Sequence, residues 1–438
     1  MIKIAFIGAG STVFAKNVLG DCIATPSIEN MFIALHDIDP VRLDDSQKML
    51  ENILRSSGRT DVTIKSYLDR REALKGAKYI VNAIQVGGYE PCTVTDFDIP
   101  KKYGLQQTIA DTLGIGGIFR TLRTIPVLQG IAKDIEELCP DALFINYTNP
   151  MAMLSGYMQR YTNVKTIGLC HSVQVCARGL LKTVGMDEYV DKCRWEIAGI
   201  NHQAWLLKIE DLQGNDLYPE IKRRSLSGEY ENNWDRVRHD MMHRFDYYIT
   251  ESSEHTSEYV PYYIKKNYPE LIDRYLIPLD EYPRRCINQI ERWAKMREEL
   301  VNDQQLKHEK THEFASYIIN AMETDEPFRV HGNVLNTGLI TNLPKEACVE
   351  VPCMIDRNGV NPCFVGDLPV QCAALNRTNI NVQLLTIEAA RTLKREYIYM
   401  AAMMDPHTAA ELSQDDITAM CDDLILAHKG WIPDEFQK

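Results

Sequence analysis

Cys170 and His202 stand 32 residues apart, each just beyond a short apolar run, in Gly168-Leu169-Cys170-His171-Ser172 and Gly199-Ile200-Asn201-His202. A thiolate and an imidazole are ligands for a transition metal of the zinc or manganese kind. Their spacing matches no zinc finger, and the chain has no CxxC pair. Two protein ligands leave coordination positions open, so a metal held here would be catalytic, with substrate oxygens completing its shell. The plain alternative is a buried cysteine and a core histidine, each common.

Other groups with chemical potential follow the same pattern. Asn149 closes the run Asn146-Tyr147-Thr148-Asn149-Pro150. An Asn-Pro step is confined to extended or turn geometry, and its bond is open to the cis form. Asn149 either presents its amide to a ligand hydroxyl or makes a turn. Asp111 precedes Gly114, Gly116 and Gly117, which predict a flexible loop able to fold over a ligand. Arg120 and Arg123 come next at one-turn spacing, to hold anionic groups or to pair with surface acids. Residues 252–263, SSEHTSEYVPYY, are dense in groups that exchange protons. A tyrosine becomes a base only when a neighbouring cation or metal lowers its pKa; otherwise it packs. Residues 278–285 predict a buried turn in which Arg284 or Arg285 faces substrate hydroxyls or a carboxylate.

These residues need a frame, and the N-terminal half supplies its signature. Residues 3–14 read KIAFIGAGSTVF: an apolar run, then Gly8-Ala9-Gly10-Ser11, then a helical pattern. That is the strand, tight turn and helix start of a dinucleotide-binding unit. Gly8 permits the turn, and Gly10 lets backbone approach a pyrophosphate drawn to the helix N-terminus. Val13 stands where the third glycine of the fingerprint belongs. A second apolar run, residues 32–35, leads to His36-Asp37, the distance at which an acid holds a ribose 2′-hydroxyl. Gly87 and Gly88, after a further apolar run, allow another close approach to a cofactor or form a simple loop turn.

Apolar runs at residues 2–7, 31–35, 62–66, 79–83, 143–147 and 166–169 alternate with stretches long enough for helices. This rhythm predicts an α/β fold with a Rossmann-like, doubly wound, mainly parallel sheet. It changes near residues 187–196. Residues 195–209 predict two strands, residues 232 onward long helices, residues 333–370 strands and loops, and residues 384–404 helix. We therefore expect a cofactor-binding domain over 1–195 and a C-terminal α+β domain over 196–438. In such sheets ligands sit beyond the carboxyl ends of the strands.

Bulk properties narrow the function. The 438 residues carry a net charge of −13, unsuited to nucleic acid, which needs a basic surface. No run of 18 apolar residues exists to span a membrane. Residues 2–7 leave no room for a signal peptide, and twelve scattered cysteines read as reduced thiols of a cytoplasmic protein. There are no internal repeats and no low-complexity stretch.

Taken in order, the segments FIGAGSTVFAKNVLGD, VGGYEPCTVTDFDIPKKYGLQQTIADTLG, INYTNPMAM, GLCHSV, GINH, TESSEHTSEY, PLDEYPRRC and AAMMDPHTAAELS resemble the family 4 glycoside hydrolases, and most of all their α-galactosidase branch. The resemblance runs essentially end to end. It implies NAD and a divalent metal, Mn²⁺ or another, in place of the usual pair of carboxylates. It also implies a lactate/malate dehydrogenase-like arrangement of the two domains. In the mechanism so implied, NAD⁺ takes hydride from C3 of the sugar, which acidifies the C2 hydrogen. A base removes that proton, the metal acting as a Lewis acid, and the glycosidic bond leaves by elimination. Water then adds at C1, and the hydride returns to C3.

The resemblance assigns Cys170 and His202 to the metal and Asn149 to the sugar. Tyr259 becomes the base, with Tyr262 and Tyr263 close by. Gly8, Gly10, Ser11, Asp37 and Gly87 fall to the cofactor, and Arg285 to the substrate. Phospho-glycosidases of the family carry an Asp after the metal-ligand Cys. His171 stands there in this chain, so the proton donor is Asp111 or His171. Those relatives also have arginine near the glycine pair, whereas residues 89–95 here read YEPCTVT. A neutral sugar such as melibiose is therefore expected, acted on by a cytoplasmic homodimer or homotetramer. The rivals are the same chemistry on α-glucosides or uronides, a lactate- or malate-type dehydrogenase, and an NAD-sensing binding protein.

Overall fold

The computed structural model describes residues 1–227, 234–311 and 313–438. Six apolar runs become parallel strands: β1 (Ile2–Ile7), β2 (Met31–His36), β3 (Val62–Tyr67), β4 (Tyr79–Asn82), β5 (Leu143–Asn146) and β6 (Lys165–Gly168). They lie in the order β3-β2-β1-β4-β5-β6, the doubly wound arrangement. Each observed end falls within one residue of the expected run. Buried on both faces, β4 and β5 show no polar alternation, as parallel strands between helices should not.

The sheet continues into the rest of the chain. Strands β7 (Cys193–Ile200), β8 (Gln203–Asp211), β9 (Tyr248–Ile249), β10 (Phe328–Leu335), β11 (Cys348–Asp356) and β12 (Gly359–Pro362) complete twelve among the described residues. Beyond β6 the order is β10-β11-β7-β8-β9, all antiparallel, with β12 beside β11. One row crosses the junction: Gly168 of β6 pairs Asn333, Asn333 pairs Glu350, and Glu350 pairs Gly199 of β7. Cys170 and His202 follow two and three residues after the ends of this row. Sequence-distant segments are thus brought to one place by pairing in the sheet.

Three expectations are corrected. The glycines after Asp111 are not a flexible loop, because Gly114 opens the 25-residue helix Gly114–Leu138. A Cβ on Gly116 would lie 2.3 Å from the Ala110 carbonyl oxygen, and one on Gly117 2.8 Å from the Thr112 carbonyl carbon. The missing side chains let the helix pack directly beneath residues 110–112. Arg284 and Arg285 lie not in a buried turn but at the half-buried start of the helix Glu281–Asn302, with Arg284 exposed. The helix expected from 384 begins at 370: Val370–Thr392 follows Pro369 and is succeeded by Glu396–Met404. The helical stretch expected from 232 begins outside the described residues. Within them it gives Arg236–Phe245, Ser253–Tyr259, Glu281–Asn302 and Phe314–Thr324 among its helices. No helix among the described residues is long and apolar enough to cross a membrane.

Candidate active site

Cys170, His202 and Glu251 converge just beyond the sheet junction. One ligand atom from each lies within 4.8 Å of the other two. His202 is buried, with Nε2 3.6 Å from Glu251 Oε2 and Nδ1 without a hydrogen-bond partner among the described residues. Its peptide bond to Asn201 is cis. Burial pushes the Cys170 thiol up, and the charges of Glu251 and Glu350 push the same way. Glu251 stays below the usual carboxylate range despite burial, because His255 and His202 face it. A thiol, an imidazole and a carboxylate so disposed are the donor set of a divalent transition cation.

His255 joins this trio to a second cluster. Its ring lies edge-on to His202 at 4.9 Å, with Nδ1 3.8 Å from Glu251 and Nε2 3.8 Å from Asp111. Asp111 is buried and accepts a hydrogen bond of 3.3 Å from the Asn149 amide. The Arg120 guanidinium stands 3.8 Å from it and donates to the Tyr282 hydroxyl. Burial alone would raise the Asp111 carboxyl; the partnership with His255 and the charge of Arg120 outweigh it and hold the group at about 2. The surroundings thus favour the charged form of Asp111, which accepts from the Asn149 amide. Next to it, Thr112 Oγ1 and the Tyr259 hydroxyl are 2.5 Å apart. Burial pushes the Tyr259 phenol well above its usual range, and Asp111, Glu251 and Glu258 push it further. A cation among Cys170, His202 and Glu251 would oppose that push.

The glycine turn follows β1. Gly8 has φ 91°, and a Cβ there would lie 2.3 Å from the Ala83 carbonyl oxygen, so glycine is required by the sheet's own packing. The turn leads into the helix Val13–Ile23. The Gly10 N–H donates to Asp37 Oδ2 at 2.6 Å, and Asp37 Oδ1 accepts from the Asp39 N–H. The Ser11 hydroxyl oxygen is buried without a partner among the described residues. An orphaned hydroxyl and a helix start beside a carboxylate at the end of β2 fit a dinucleotide's pyrophosphate and ribose. Gly87 differs, because Cys92 fills the space its side chain would take.

Residues 3–186 match the model of family 4 glycosyl hydrolases, and residues 197–408 match that of the family's C-terminal domain. The chain belongs to glycosyl hydrolase family 4. An α-galactosidase of Bacillus subtilis is 63% identical to this family 4 hydrolase over 99% of the chain and 100% of its own length. A 6-phospho-α-glucosidase from gut microorganisms, solved with NAD and Mn²⁺, shares the fold at TM-score 0.80 and 20% identity, over 99% of each chain. Malate dehydrogenase of Plasmodium falciparum shares it at TM-score 0.56 and 14% identity, over 90% of this chain and 99% of its own. The α/β fold with a dehydrogenase-like arrangement is thus as the sequence led us to expect.

Not every expected residue of this family 4 hydrolase meets at the site. His171 points to Glu313: its Nε2 forms a short hydrogen bond there, its side chain is 54% exposed, and that bond raises its pKa. Arg285 faces carboxylates, Glu254 at 3.1 Å and Glu281 at 2.9 Å. Arg123 is buried against Asp96 at 2.7 Å, not on the surface. Tyr263 donates to Asp240, and Tyr262 is exposed against Phe245. Of the three tyrosines, Tyr259 is the one tied to Thr112 beside Asp111. The Asn149-Pro150 bond is cis. Sequence reasoning missed Glu251, His255 as a bridge, and Glu350. Burial raises the Glu350 carboxyl to about 7, and Asn333 donates to it at 3.0 Å. Glu251 sits one residue before the 252–263 stretch and inside the segment TESSEHTSEY, where its type alone did not single it out.

Proposed function

We propose that this chain is an α-galactosidase that hydrolyses small, neutral α-galactosides such as melibiose and requires NAD and Mn²⁺ or another divalent metal. The observation that carries the reading is the meeting of Cys170, His202 and Glu251 beside Tyr259 and Asp111, in a chain 63% identical to an α-galactosidase. Cys170, His202 and Glu251 hold the metal. Gly8, Gly10, Ser11 and Asp37 hold NAD, with the backbone at Gly87 alongside. When bound, the nicotinamide supplies reversible hydride transfer and the metal a Lewis acid. Tyr259 removes the proton from C2 of the sugar, its hydroxyl fixed by Thr112. Asn149 engages the sugar's hydroxyls, and Asp111 fixes the Asn149 amide and the Arg120 guanidinium. His171, held by Glu313 in this structure, gives a proton to the leaving group once its ring turns from Glu313 toward the sugar.

The arginines support a neutral substrate. Arg120 faces Asp111, Arg123 faces Asp96, and Arg285 faces Glu254 and Glu281. An anionic sugar would have to compete with these carboxylates. Arg285, tied to Glu254 and Glu281 outside the converging residues, would offer a substrate hydrogen bonds to hydroxyls and not an unpaired charge. We also place a cofactor-binding domain at 1–195 and a C-terminal domain at 196–438, with the metal and substrate held by residues of both, in a cytoplasmic homodimer or homotetramer.

The test is release of nitrophenol from α- and β-galactosides, α-glucosides and α-galacturonides, with NAD and Mn²⁺ omitted in turn. Preference for the α-galactoside and dependence on both additions, with no net change in NADH absorbance, support the reading. Activity without either addition, or preference for the uronide, contradicts it.

A further inference from the structure

Asp111 is flanked by two holds that come from one short helix. On one side, Glu258 of Ser253–Tyr259 turns its buried carboxylate into three consecutive peptide N–H groups. Oε1 accepts from Thr108 at 2.5 Å and Ile109 at 3.2 Å, and Oε2 accepts from Ala110 at 3.1 Å. On the other side, Tyr259 meets Thr112. Thr108 Oγ1 adds a bond to the Glu254 carbonyl of the same helix. Successive N–H groups converging on one anion form a nest, a concavity that ordinarily takes a phosphate or another bound anion. Here the chain fills it with its own carboxylate. Ala110 sits at φ 49°, a conformation an alanine adopts only under constraint, and Asp111 follows it directly.

We infer that Glu258 is a positioning residue, whose carboxylate locks residues 108–110 and so aims Asp111 at Asn149 and Arg120. It is not one of the three converging metal donors and acts through the loop. The inference rests on the reading of Asp111 and Tyr259 given above. Charge-assisted bonds to peptide N–H groups are the strong kind, and three of them fix both position and rotation of the loop.

Glu258→Gln keeps the side chain's size but places an amide, itself a donor, against at least one N–H. With NAD and Mn²⁺ saturating, kcat on nitrophenyl α-galactoside should fall about 10- to 100-fold, the scale of an ångström misplacement near the chemistry. KM, NAD affinity and Mn²⁺ content should hold within about threefold. A mutant cycle with Asp111→Asn separates aiming from general support. If Glu258 acts through Asp111, Glu258→Gln costs little more once Asp111 is gone. Unchanged kcat in Glu258→Gln, beside an inactive Asp111→Asn, overturns this inference alone. Losses that multiply in the double variant also overturn it. A fully active Asp111→Asn overturns the reading of the site and the inference with it. If Glu258→Gln yields no folded protein, Thr108→Val, which removes one hold on the same loop, is read against the same outcomes.

Discussion

Gly10→Ala isolates the Gly10–Asp37 contact, on which the proposed NAD site rests. The φ of Gly10 lies outside the left-handed region, so the backbone accepts alanine without strain. The new methyl, however, would stand 2.7 Å from the Asp37 carboxyl carbon and 2.7 and 2.9 Å from its oxygens. Ordinary contact begins near 3.4 Å, so the carboxylate must retreat by about 0.7 Å. That movement disrupts the 2.6 Å bond from the Gly10 N–H, of a charge-assisted kind contributing roughly 1.5–3 kcal/mol. It also carries Asp37 away from the place where it would meet the ribose. NAD binding should weaken by roughly 10- to 100-fold, or about 1.4–2.7 kcal/mol. Calorimetric titration of NAD reads this directly, with Mn²⁺ content as the control for an intact fold. In an Asp37→Ala background the same methyl meets no carboxylate and should cost little. Normal NAD affinity in Gly10→Ala, or an equal loss with and without Asp37, would refute the reasoning.

Three further outcomes follow from the geometry. Glu251→Gln removes the anionic oxygen donor from the trio, and Mn²⁺ affinity measured by metal titration should fall at least 100-fold, more than loss of an outer-shell partner; retention within threefold would exclude Glu251 as a ligand. Tyr259→Phe keeps the ring in its buried place and should lower kcat about 100-fold or more, with thermal midpoint little changed; full activity would move the base elsewhere. His331 is buried against Trp195, and its pKa is lowered to about 3, first by burial and then by Arg329. The unfolded chain therefore binds the extra proton: stability from this group is complete above the unfolded pKa and is lost as pH falls from about 6.5 toward 3. Between pH 7 and 5 the loss is about 2 kcal/mol. Urea unfolding at the two pH values should show a smaller drop in His331→Phe than in the parent; equal drops would contradict the assignment.

Much of the frame was legible because parallel strands buried on both faces leave uninterrupted apolar runs. The Gly8 turn, Asp37 at the end of β2, and Cys170 and His202 beyond β6 and β7 all follow from reading what comes after such runs. Glu251 was not legible by type, since it is one of 61 acidic residues and its partners lie 49 and 81 positions away. The row Gly168–Asn333–Glu350–Gly199 brings Cys170 and His202 together, and Glu251 joins them from the end of β9, which pairs with β8; no local pattern announces either pairing. The glycines after Asp111 misled because freedom and close packing call for the same residue, and only the Ala110 and Thr112 contacts distinguish them. The helix Val370–Thr392 was missed at its start for a related reason. It buries Asn376, Asn379 and Gln383 together with apolar residues, so it shows no single apolar stripe. The Asn376 and Asn379 amides donate to Gln203, and Asn379 also to the Tyr259 carbonyl, supporting the site from behind.

The central claim is that the glycosidic bond leaves by elimination after loss of the C2 proton, with Tyr259 as the base. The most direct test is turnover of an α-galactoside in heavy water, with the released galactose analysed by mass spectrometry and proton NMR. The account predicts deuterium at C2 of the product in every turnover that breaks the bond. Galactose carrying its original hydrogen at C2 would contradict it and return this chain to direct hydrolysis.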